Sequence, residues 1–91
     1  MDKRPLIGQL VRSRAGRDKG KLFLILDVLD DEYVLVVDGK IRKIDRPKKK
    51  KLKHLVFYNT TIDKFRENIE NDRKMNNAFI RKLIEPFERE Y

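Results

Sequence analysis

The chain has 91 residues, no cysteine and a net charge of +8 at pH 7, with 42% of its residues charged and 40% hydrophobic. That length allows one small core, and the missing cysteines exclude a disulfide framework or a thiolate metal site. The longest unbroken apolar runs, Leu22 to Leu26 and Tyr33 to Val37, fall far short of the ~20 residues of a spanning helix. No apolar signal-peptide core follows the basic start Met1-Asp2-Lys3-Arg4-Pro5, so a cytoplasmic location is expected.

Ile7 to Arg14 alternates in part and predicts a strand. Gly16-Arg17-Asp18-Lys19-Gly20 predicts a loop, where glycines let the chain turn sharply and expose backbone N–H donors. Lys21 to Leu29 carries no helical stripe and reads as a strand buried over much of its surface. Asp30-Asp31-Glu32 makes a polar turn before a second apolar strand, Tyr33 to Val37. Asp38-Gly39 then predicts a type I′ hairpin into a strand from Lys40 to Ile44. Ile41 and Ile44, three apart, cannot both point inward from a regular strand, so a bulge or an early end is expected there. Pro47 breaks the ladder, and Leu52 to Phe57 forms a last short strand.

From Thr60 the period changes. Thr60 and Asp63 read as a variant capping box, followed by Ile62, Phe65 and Ile69 at helical spacing. Met75, Phe79, Leu83 and Phe87 recur every four, with Ile80 and Ile84 widening the stripe. Asn76 and Asn77 start this second helix, and Pro86 is expected to end it near Ile84. The expected fold is β with an α appendage. Residues 1–58 form a small antiparallel barrel of about five strands, or an open sheet of the same strands, and residues 59–91 form a helical hairpin packed on it.

The charge is not spread evenly. Residues 1–58 carry 16 basic and 8 acidic side chains, whereas residues 59–91 carry 7 of each. Nine basic residues crowd the fifteen positions from Lys40 to His54, opposed only by Asp45, and a second group surrounds Gly16 and Gly20. Such a surface neutralises phosphates and releases condensed counterions; about five contacts would give a log–log salt slope of roughly −4. An anionic membrane is a poorer partner, because the helical tail has no net charge and no basic amphipathic face.

Other chemistries fail on the residues. In Gly16-Arg17-Asp18-Lys19-Gly20-Lys21 three residues separate the glycines instead of four, and Leu22 stands where Ser or Thr would hold magnesium. His54 is the one histidine, so neither a metal site nor a His-based pair is expected; it reads as structural or phosphate-facing. Asp30, Asp31 and Glu32 sit in a turn that favours solvent. No nucleophile, base and orienting group emerge together, so neither an enzyme nor a cofactor or small-molecule substrate is expected. Phe23 reads as core, and Tyr58 as either a base-stacking ring or a packing residue against the tail.

The stretch from Gly8 to Val28, a strand, a basic glycine-bearing loop and an apolar strand, resembles a KOW motif. With Tyr33 to Gly39, Arg42-Lys43 and the run Lys48-Lys-Lys-Lys-Leu-Lys-His54-Leu55, the chain resembles bacterial KOW-domain RNA-binding proteins. These are related to the large-subunit ribosomal protein fourteen-e family of archaea and eukaryotes. The resemblance covers nearly all of residues 6–58 and extends loosely to Phe79-Ile-Arg-Lys-Leu83. It implies an SH3-like barrel that contacts RNA, chiefly ribosomal RNA of the large subunit. The residues carried over are Arg12, Arg14, Arg17, Lys19 and Lys21 around Gly16 and Gly20, with Arg42, Lys43, Lys48, Lys49, Lys50, Lys51 and Lys53; Arg46 and His54 complete the basic set. The rival readings are a protein-interaction module working through the tail helices or an aromatic groove, and a transcription-elongation accessory factor.

Overall fold

The computed structural model describes residues 4–90. Four strands, β1 (Gln9–Ser13), β2 (Leu22–Val28), β3 (Tyr33–Val37) and β4 (Lys48–Lys51), run as an antiparallel meander. One 3-10 turn, Leu52–His54, leads to β5 (Leu55–Thr61), which returns to pair with β1, giving the order β4-β3-β2-β1-β5. β4 and β5 are consecutive in the chain but lie at opposite edges of the sheet. A three-residue connection between them requires the sheet to curl until its edges approach, which makes the domain barrel-like. Bulges between Gln9 and Val11 and between Ile25 and Asp27 assist the bend.

The run Leu22-Phe23-Leu24-Ile25 is buried at every position, because the sheet has two dry faces. Phe23 and Ile25 point inward with Val11, Val34, Val36 and Leu55. Leu22 and Leu24 point outward with Leu10 and Val37, where Phe65, Ile80 and Ile84 of the helices cover them. The two-residue period of the strand thus feeds two cores in alternation. Phe23 and Phe65 are fully buried, one in each core, and burial of a side chain of this size contributes about 1.5–3 kcal/mol.

The helices are α1 (Asp63–Glu70) and α2 (Asn77–Glu88). Asn76 caps α2, its Oδ1 accepting the Phe79 N–H at 2.8 Å, as its position before the apolar stripe predicts. The expected capping box at Thr60 does not form. β5 runs on to Thr61, past the expected strand end at Phe57, and Ile62 occupies the cap position without a side-chain hydrogen bond. Pro86 does not end α2 near Ile84 either. The helix reaches Glu88 and keeps Phe87 packed on the outer core. A proline so near the C-terminus removes only one ladder donor.

The predicted strand from Lys40 to Ile44 is absent, and residues 38–47 form an irregular loop. Asp38 is the cause. Its buried carboxylate Oδ1 accepts the N–H groups of Lys40 and Arg42, each at 2.9 Å, so the chain folds around the side chain instead of forming a type I′ hairpin. Gly39 has φ +77°, and a Cβ there would run into the Asn77 carbonyl. Arg81 Nη1 donates to the Gly39 carbonyl at 2.7 Å and the Ile44 N–H donates to Asn77 Oδ1 at 2.9 Å, tying this loop to α2. The partner strand of β3 is instead β4, the lysine run itself, lying at a sheet edge.

Candidate nucleic-acid interface

β1 and β3 end, and β2 and β4 begin, at the same end of the barrel, so the loops 14–21 and 38–47 are neighbours there. Arg14, Arg17, Lys19 and Lys21 from the first loop, Lys43 and Arg46 from the second, and Lys48 and Lys49 at the head of β4 are all exposed. The turn carrying Asp30, Asp31 and Glu32 lies at the opposite end.

One acid organises this basic end. Asp18 is 3% exposed, and its Oδ2 accepts from Arg42 Nε at 3.0 Å and Nη2 at 2.9 Å, with Lys50 Nζ at 3.7 Å. Lys50 Nζ also donates to the Ala15 carbonyl at 3.4 Å. Two cations on one carboxylate join loop 14–21, loop 38–47 and β4, and at this burial the attraction is screened far less than on the surface. With loop 38–47 and β4 fixed to it in this way, the loop presents its exposed cations at set positions.

Part of the loop backbone is spent on the fold itself. The Lys19 N–H donates to Gly16 O, the Lys21 N–H to Asp18 O and the Gly20 N–H to Ser13 O, closing the loop on itself, while the Arg14 N–H donates to His54 O of the 3-10 turn. Gly16 and Gly20 give the loop its shape, at φ +77° and +88°.

The predicted basic residues separate into groups. Lys50, its side chain 9% exposed, is internal, and Arg42, 29% exposed, is held by Asp18. Burial of the Lys50 ammonium on a carboxylate and a carbonyl leaves it no route to a phosphate. Lys51 and Lys53 stand beside Asp31 and Glu32, the Leu52 N–H donating to the Glu32 carbonyl. His54 is half-buried in the 3-10 turn. On the outer face of β4 the Lys49 ammonium lies 4.4 Å from the centre of the Tyr33 ring and that of Lys51 lies 5.8 Å from it, a cation–π arrangement. Arg12 is half-buried on the outer face, 6.0 Å from the centre of the Tyr58 ring, and Tyr58 packs on the core shared with the helices.

Asp18 is the residue organising this basic end that sequence reasoning missed. Its signal was present: it is the one acid among five cations from Arg14 to Lys21 and Arg12. Among the described residues no group of three or more His, Cys, Asp or Glu side chains could hold a metal ion. No helix there is long and apolar enough to cross a membrane.

No protein-family model matches the chain. It is 30% identical over 74 residues to a Bacillus subtilis (strain 168) protein named Putative ribosome-binding protein YbzG, an alignment that takes in 81% of this chain and 100% of that relative.

Proposed function

We propose a function for this chain on the premise that it belongs to the family of Bacillus subtilis YbzG. It is a non-catalytic RNA-binding protein of the cytoplasm, an SH3-like barrel of the KOW type that attaches to the ribosome through ribosomal RNA of the large subunit. The observation that carries this is the gathering of eight exposed cations from two loops and one strand at a single end of the barrel, held in place by the buried Asp18. Phosphate contacts through Lys and Arg supply affinity and register without reading sequence, which suits structured RNA recognised by shape. The relative is named for ribosome binding, and the basic end supplies a physical means for the same attachment here. The rival reading, peptide binding by the tail helices, is weakened because Phe65, Ile80 and Ile84 are already buried against the sheet.

The test is sedimentation of tagged protein with cell extract through density gradients at low and high salt. Co-migration with large-subunit particles at low salt, abolished at high salt, is expected. Failure to co-migrate at low salt would overturn ribosome attachment. Retention at high salt would replace phosphate contacts with an apolar protein interface.

A further inference from the structure

On the outer face of the sheet, at its basic end, lies a cleft of about 320 Å3, the small end of the ~300–1,000 Å3 range of ligand pockets. Leu22 and Arg12, opposite each other on β2 and β1, form its floor. Ile41 lines the cleft although it is 48% exposed, an apolar side chain left bare within one of the two basic loops. Gly20 borders the cleft, and a Cβ there would meet nothing within 4 Å, so this side stays open toward the cations of loop 14–21. The far rim is the Lys40–Glu88 pair at 3.4 Å, exposed on both sides, an ion pair that costs little to part.

The geometry points to a site for one unstacked nucleobase of the bound RNA, a bulged or looped nucleotide whose neighbouring phosphates rest on the exposed cations of loop 14–21. This inference rests on the RNA reading proposed above. Unpaired bases are held by stacking on aromatic rings and guanidinium planes. Arg12 lines the cleft, with its guanidinium carbon 6.0 Å from the centre of the Tyr58 ring, and is the one guanidinium there that a base could stack on. Leu22 and Ile41 supply the apolar contact that a base needs and a bare phosphate does not, while Lys21 and Lys40 are placed for the sugar-phosphate on either side. The contribution is base-directed, and so differs in kind from the phosphate contacts of the loops.

The full chain is titrated at fixed salt with two RNA hairpins of equal phosphate count. One is fully paired, and the other carries a single bulged 2-aminopurine whose fluorescence reports stacking. The unaltered protein is expected to prefer the bulged hairpin by about tenfold, the scale of one base–plane stack, and to change the probe's emission on binding. Ile41→Ser removes the apolar contact at an exposed position, so it tests the base site without disturbing the core. It should cut both the preference and the emission change severalfold while leaving affinity for the paired hairpin within twofold. Arg12→Lys keeps the charge but removes the plane, and should cost about tenfold on the bulged hairpin. Equal affinity for the two hairpins, or an undiminished preference in Ile41→Ser, would overturn the site. Binding of neither hairpin by the unaltered protein would bring down the RNA reading itself, and this site with it.

Discussion

Each end of the barrel is arranged around an aspartate, and the two aspartates act over different distances. At the acidic end Asp30 Oδ1 accepts the N–H groups of Glu32 and Tyr33 at 2.8 and 2.7 Å, partners no more than three residues away. At the basic end the Asp18 carboxylate holds Arg42, 24 residues along the chain, and Lys50 beyond it. A turn closed by its own backbone donors can form alone. A carboxylate joining three distant segments gains its partners only once the sheet has brought them together, after the loop-closure entropy has been met. The acidic end is therefore local structure, while the basic end is a product of the whole fold.

That contrast can be broken deliberately. The largest effect is expected from neutralising Arg17, Lys19, Lys43 and Arg46 together with Gln. Affinity for ribosomal RNA should fall roughly a thousandfold near 0.1 M salt, and the log–log salt slope should flatten by about three. Filter binding across a salt series measures both. Next is Asp18→Asn, which leaves Arg42 and Lys50 without their counter-charge. Removing one partner of a buried pair costs several kcal/mol, and because Arg42 is 29% exposed and can reach water, about 3 kcal/mol of folding stability is expected to be lost in urea titration. This variant adds positive charge, yet its RNA affinity should drop. A gain would show that total charge matters more than placement.

Gly39→Ala should cost about 1–3 kcal/mol, because it combines a strained φ with a clash against α2. Gly20→Ala should cost less, having the strain but no neighbour to strike. At the acidic end Asp30→Ala removes two backbone hydrogen bonds and should cost about 1 kcal/mol in the same titration, without altering RNA binding. The smallest effect is expected from Lys51→Gln with Lys53→Gln. These lysines sit beside the acidic turn, so RNA affinity should stay within about threefold of the unaltered protein.

Strands and helices with alternating or four-residue apolar patterns were legible in the sequence, as were the polar turn and the Asn76 cap. β4 was not. Lys48 to Lys51 are chemically identical, so their two-residue period is invisible until the ladder sets Lys50 opposite Val34 and Asp18 and the Ala15 carbonyl take its ammonium. The Asp38-Gly39 pair carried a strong hairpin signal, but one buried carboxylate binding two backbone N–H groups outweighed it. The basic end was legible as composition. Which of its cations face outward was not, because Asp18 decides that through contacts made only in three dimensions.

The lysine run of β4 has a consequence for solubility. A strand at the margin of a sheet presents unpaired amides and carbonyls that invite a second molecule to extend the sheet. β4 occupies such a margin with Lys48 and Lys49 exposed and Lys51 half-buried. Two copies approaching margin to margin would set like-charged ammonium groups face to face. The side chains proposed to meet RNA phosphates also oppose addition of one copy of this protein to another, so acylation of these amines would weaken that protection along with the proposed attraction.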